Sequence, residues 1–192
     1  MANADTPAGA TPVSHRNGAP YNGAFRTYST AAGDGTALFI GDFVKLAGTG
    51  QTINGRVLQD VTRAATGDVI AGVVIGVKPA TQDSTVYRAA STLREVYVAD
   101  DPDLIFEIQE GSSGTALTAN DVGLNIDFVV GAGSTVTGRS GTQVNNATEA
   151  TTNTLDLHLV TPVPREDNAI GYSCKWLVTI NRHQFSNQVA GV

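Results

Sequence analysis

One cysteine, one tryptophan and one methionine in 192 residues leave little material for several familiar kinds of site. A lone thiol, Cys174, excludes an intrachain disulfide and any cysteine-rich metal centre. No apolar run approaches the roughly 18 residues of a membrane-spanning helix, and the N-terminus shows neither the basic nor the apolar region of a secretory signal. These absences predict a soluble protein made in the cytoplasm, in which the sequon Asn146-Ala147-Thr148 is inert. A basic excess is missing too. The net charge is −6, and residues 31–164 carry seven Lys/Arg against fifteen Asp/Glu, while the two ends are each at +1. An acidic body repels phosphate, which argues against a nucleic-acid partner.

The chain is rich in glycine, with 21 residues, and poor in helical periodicity. Both favour short strands joined by tight turns. Apolar residues alternate in four segments: Leu104, Phe106, Ile108; Leu124, Ile126, Phe128, Val130; Leu155, Leu157, Leu159; and Cys174, Trp176, Val178, Ile180. Period two is the mark of a half-buried strand. Residues 69–77, VIAGVVIGV, are instead almost continuously apolar and predict a central strand covered on both faces, with Gly72 and Gly76 marking a bend or close approach. Gly41 and Asp42 divide the apolar run 36–46 at a bulge or turn. The one helical signal is Thr118 capping toward Asp121, ended by Gly123 after barely a turn. The predicted class is all-β, a small β-barrel or β-sandwich (β-tulip-like) with an extended N-terminal arm and long loops.

Candidate chemistry is thin. Gly131, Gly133 and Gly138 lack the spacing and the helix of a phosphate loop. Asp100, Asp101, Asp103, Glu107 and Glu110 lack the glycine that a calcium loop needs at its sixth position, where Ile105 stands, so a solvated turn opened by Pro102 is the better reading. Cys174 faces inward on its strand, and a Cys174–His183 catalytic pair is disfavoured. His158 and Asp156 read as the solvated face of a strand. The expectation is of no enzyme, no cofactor and no metal.

Residues 1–35 read as an extended arm and 36–192 as a β-rich body, with a long Ser/Thr/Gly loop at 131–154 that is either exposed or a second arm. The arm interleaves Tyr21, Phe25 and Tyr28 with Gly18, Pro20 and Gly23. Three aromatic rings are costly to leave in water, so the segment is expected to lie along a partner, with Arg16 and Arg26 adding charge-assisted contacts. Arg16, Tyr21, Phe25, Arg26 and Tyr28 are therefore the candidate partner-binding residues; the alternative is that the segment adds an edge strand to its own barrel.

The segments GTALFIGDFVKLAG, ATGDVIAGVVIGVKP, REVYVADDPDLIFEIQE and DVGLNIDFVVGAGSTVTGRSG, with the opening NGAPYNGAFRTY and the closing KWLVTINRHQF, resemble the decoration or cement proteins of tailed-bacteriophage capsids. The resemblance spans most of the chain. It implies a β-rich virion protein, often a trimer, that sits on the capsid exterior and reinforces contacts between major capsid proteins. The expected partners are thus the major capsid protein and further copies of this chain, with no nucleic acid and no membrane. Another β-rich virion component (a head fibre base, tail or baseplate protein) and a carbohydrate-binding module or trimeric β-enzyme remain open as alternatives.

Overall fold

Alternation sets the register of the first layer. In a computed structural model that describes residues 3–186, the alternating segments form β7 (Leu104–Gln109), β11 (Leu157–Pro162) and β12 (Lys175–Ile180). With β1 (Thr11–His15) and the two-residue β8 (Asn125–Ile126) they make an antiparallel sheet in the order β1-β7-β12-β11-β8. Leu104, Phe106, Ile108, Leu157, Leu159, Trp176, Val178 and Ile180 all point to its one buried face. Pro162, with no N–H to donate, ends β11 at the side where β8 is too short to cover it.

The second layer is a closed five-stranded barrel, β2 (Arg26–Thr30), β4 (Arg56–Arg63), β3 (Phe43–Ile53), β5 (Gly72–Val77) and β6 (Arg94–Ala99). Its one parallel contact, Ser29 with Asp60, is the weakest seam, and the side chains reinforce it: the Ser29 hydroxyl donates to Asp60 at 2.7 Å. Tyr28, Leu38, Val44, Leu46, Val61, Val74, Val96 and Val98 fill the interior.

The continuous apolar run 69–77 is explained by where β5 lies. Val74 faces the barrel interior, whereas Val73 joins Phe43, Ile70 and Ala99 in a second core shared with the sheet. Both faces are dry over residues 70–74, as expected, while Ile75, Gly76 and Val77 are only partly buried. Gly72 permits the strand crossing, since a Cβ there would collide with the Ala99 carbonyl oxygen. Phe43 meets Phe128 across the layers, ring centroids 4.8 Å apart.

The all-β expectation holds, with Thr118 capping only a one-turn 3₁₀ helix, Ala119–Asp121, through a capping box. Three details differ from the sequence reading. The strand expected over 124–130 breaks at Asp127: Ile126 pairs with Leu157 in the sheet, while Phe128, in β9 (Phe128–Val129), pairs with Val144 of β10 (Gln143–Val144). The alternation survives the break because both halves feed the same shared core.

Residues 131–154 are not a free loop. Ser140, Thr142, Val144 and Asn146 are buried, and the stretch is stitched to the barrel by the Ile40 N–H to Gly138 and the Ser140 N–H to Ile40.

Nor are residues 1–35 set apart from the body. β1 is an edge strand of the sheet and β2 a barrel strand, while residues 3–10, ahead of β1, form a strap bonded to both layers. Asn3 reaches the Ala169 and Tyr172 carbonyls, Gln109 clamps Ala4 and Thr6, and Ala10 donates to Gly41. A Cβ on Gly9 would lie 2.6 Å from the Gly41 carbonyl oxygen, so the two backbones touch. Amphipathic segments of this kind, with no core of their own, are ordered by docking on a sheet edge, and here the edge belongs to the same chain.

Candidate functional site

The candidate binding residues separate into one buried group and one surface. Tyr28, on β2, is only 2% exposed, and its hydroxyl donates to Asp100 at 2.7 Å; burial, reinforced by that bond, raises the phenol well above its ordinary range. It is a barrel residue, unavailable to a partner, because alternation along β2 turns it inward between Thr27 and Ser29. Tyr21 is half-buried against the shared core and donates its hydroxyl to the Ala24 carbonyl at 2.6 Å. Its role is to hold the loop around it.

What remains outward is the loop from Arg16 to Arg26. Its shape comes from two copies of one turn. In Asn17-Gly18-Ala19 and again in Asn22-Gly23-Ala24, the asparagine side-chain oxygen accepts the alanine N–H at 3.0 Å, and the glycine takes a left-handed φ of 86° or 84°. The loop is fastened by Arg16 N–H to Asp103, His15 N–H to Ala19 and Tyr21 N–H to Val13. Phe25 is 51% exposed, with its ring against Tyr97 at 4.5 Å. Arg26 is largely exposed, pairs with Asp100 at 3.2 Å and lies over the Phe185 ring at 5.3 Å. Arg16 reaches the Thr179 hydroxyl at 3.1 Å. Arg16, Phe25 and Arg26 thus share a surface with Tyr97 and Phe185, an aromatic and cationic patch that the sequence reading only half identified.

The acidic run 100–110 does not converge. Asp100 serves Tyr28 and Arg26, Asp101 faces His15 at 3.3 Å, and Asp101 accepts the Asp103 N–H in the turn that Pro102 opens. Glu107 pairs with Lys175 and Arg165 on the open face of the sheet. Glu110 is buried and fully engaged, accepting from the Trp176 indole, the Leu117 N–H and Asn146. Among the described residues, no three of His, Cys, Asp and Glu are grouped to hold a metal ion.

Cys174 and His183 lie beyond opposite ends of β12, too far apart to act together. Burial pushes the thiol up to about 11 and holds the imidazole down at about 4. The sequon asparagine, Asn146, is wholly buried, its amide donating to Glu110.

Asp156 overturns the reading of a solvated face. It precedes β11, is wholly buried, and accepts the Gly67 N–H with both oxygens, at 3.0 and 3.1 Å. Arg88 was not anticipated at all. Its guanidinium is completely buried at one end of the barrel, donating to Thr30 and to the carbonyls of Ala31, Asp34, Thr36 and Thr92. A charge saturated by backbone carbonyls serves the fold, and no periodicity in VYRAAST singles it out.

A cleft of about 560 Å³ runs between the strap at Asn3–Thr6 and the segment 165–175. Its cations Arg165 and Lys175 are already paired with Glu107. No protein-family model, curated protein or solved structure matches the chain.

Proposed function

We propose that this protein is a structural, non-catalytic virion component that binds the outer surface of a phage capsid as a homo-oligomer, a trimer, and reinforces contacts between major capsid proteins. The reading starts from the resemblance of its sequence segments to capsid decoration proteins. The observation that carries it further is the Arg16–Arg26 loop. Two identical asparagine turns and the Tyr21 hydroxyl fix this loop on a rigid two-layer body, so little ordering entropy is lost when a partner seats on it. Phe25 supplies exposed aromatic area of the kind that anchors interfaces, and Arg16 supplies a cation for an acidic partner group. Many copies on a lattice multiply weak contacts into a stable coat.

The β3–β4 hairpin adds a second projecting feature. It turns at Asn54-Gly55, both at positive φ, and carries Val57 at 80% exposure. It is the segment we assign to contact with a neighbouring copy.

The test is co-sedimentation with undecorated phage heads. Wild-type protein is expected to saturate the particles, while the double substitution Arg16→Ala/Phe25→Ala, with an unchanged melting curve, binds at least about tenfold more weakly, the loss of one modest hot spot. Equal binding by the two proteins refutes the assignment of this loop. Binding by neither refutes the capsid reading itself.

A further inference from the structure

His183 carries a buried hydrogen that nothing accepts. The residue is 1% exposed, and its Nδ1 accepts the Phe185 N–H at 3.1 Å, so the neutral ring holds its proton on Nε2. Among the described residues, that Nε2 has no hydrogen-bond partner. A donor shut away from water with no acceptor costs stability, and such an atom in a native fold calls for an explanation. The backbone around it is firmly held. The Ile70 N–H donates to the Arg182 carbonyl, the Gln184 N–H to the Ile70 carbonyl, and the Ser186 hydroxyl to the His183 carbonyl at 2.7 Å.

The same ring lines a hollow of about 430 Å³ at the end of the sheet where β12 finishes and β7 begins. That volume falls in the range of small-molecule sites, roughly 300–1,000 Å³. Pro102, Ile180 and Phe185 supply apolar lining. The polar lining is of both kinds. Arg16 is bonded to the Thr179 hydroxyl and, among the described residues, to no carboxylate. Asp103 is exposed and carries the opposite charge, while its neighbour Asp101 is engaged with His15 at 3.3 Å. Asn181 gives its amide hydrogens to the Asn153 and Leu155 carbonyls, which leaves its side-chain oxygen as an acceptor.

One cation and one anion balance each other among the described lining residues, and that balance selects the ligand. A carboxylate or phosphate would meet Asp103, and an ammonium would meet Arg16. A hydroxyl both donates and accepts, so a set of hydroxyls satisfies the donors His183 and Arg16 and the acceptors Asp103 and Asn181 together. We propose that this hollow is a binding site for a neutral saccharide unit, with His183 Nε2–H and Arg16 donating to its oxygens, Asp103 accepting from a hydroxyl and Phe185 covering an apolar C–H face. Burial holds the His183 ring down at about 4, so the donor stays neutral at physiological pH. The site does not depend on the capsid reading; the two share Arg16 and Phe185 on one surface.

The test is long-range ¹H–¹⁵N NMR of the His183 imidazole in the full chain, without phage heads, titrated with glucose, galactose and N-acetylglucosamine up to about 100 mM. The free ring is expected to show its proton on Nε2, and at least one sugar to shift that signal saturably, whereas glycerol, acetate and ammonium do not. Asp103→Ala and Phe185→Ala, both at exposed side chains and melting like the wild type, are expected to weaken that sugar at least about fivefold, the loss of one modest contact. No shift with any of the three sugars overturns the proposal. So does an equal shift with glycerol or tighter binding of acetate, which mark an unselective or an anion site, and so does a sugar affinity unchanged in both variants.

Discussion

The indole of Trp176 donates to the carboxylate of Glu110 at 3.1 Å, wholly inside the core shared by the sheet and the barrel. This bond explains how a tryptophan is accommodated in a dry interior and how a glutamate is tolerated beside it. Glu110 also receives the Leu117 N–H and the Asn146 amide, so its charge is dispersed over three donors. Trp176→Ala removes the largest side chain of the core and one of that carboxylate's three donors. It is expected to cost about 3–5 kcal/mol, enough to unfold an ordinary domain. Lys175→Ala, on the opposite face with a partly exposed partner in Glu107, is expected to cost under about 1 kcal/mol. Thermal or urea melts of the two variants check the order.

Arg88 is the charged counterpart at the end of the barrel. Arg88→Ala empties the buried end of the barrel and takes one donor each from the carbonyls of Ala31, Asp34, Thr36 and Thr92, and a loss of about 3–5 kcal/mol is expected. Arg88→Lys keeps the charge but not the fork, and should recover only part of it. Urea midpoints at constant m-value measure both.

Two buried groups, His183 and Asp156, pull acid stability in opposite directions. His183 is neutral in the fold down to about pH 4 against an ordinary 6.5, because burial disfavours its cation. Between those values the unfolded chain binds more protons, so His183 makes the protein lose stability as pH falls from about 6.5 to 4. Asp156, raised to about 7, does the reverse over nearly the same window. Asp156→Asn removes one of the two opposing contributions, so its melting temperature should fall more steeply than the wild type's between pH 6.5 and 4. A wild-type decline as steep as the variant's would refute the compensation.

Glycine positions separate by crowding. Gly18 and Gly41 both have positive φ, but a Cβ at Gly18 meets open space, whereas at Gly41 it would lie 2.6 Å from the Ala8 carbonyl oxygen. Gly18→Ala is expected to cost about 1–2 kcal/mol from backbone conformation alone. Gly41→Ala must also push the strap away and should cost clearly more. Differential scanning calorimetry distinguishes them.

Truncation tests the architecture of the N-terminus. A chain lacking residues 1–30 loses β2, and with it Tyr28 and the closure of the barrel, so it should not melt cooperatively. A chain lacking residues 1–9 loses only the strap and should fold with reduced stability. Cooperative melting of the shorter chain would refute the barrel order.

The sequence by itself determined the strands and their inward faces. At Leu104, Phe106, Ile108 and at Cys174, Trp176, Val178, Ile180, side chains alternate along a pleated backbone, and solvent on one face imposes the pattern locally. It also determined that the middle of 69–77 has no wet face and that Thr118 caps a single turn, since both rest on neighbours in the chain. Tertiary structure alone decided which strands meet. Tyr28 looks like a free aromatic in a glycine-rich arm until β6 pairs with β2 and turns it into the barrel. Asp156 reads as solvent-facing until the Gly67 loop closes over it, and Arg88 carries no signal before the barrel end collects four carbonyls around it. The candidate surface follows the same division: Arg16, Phe25 and Arg26 were legible as exposed residues, but Tyr97 and Phe185, 72 residues or more further along the chain from Phe25, join them only through long-range pairing. Burial of a polar group depends on partners distant in sequence, and periodicity records only what is near.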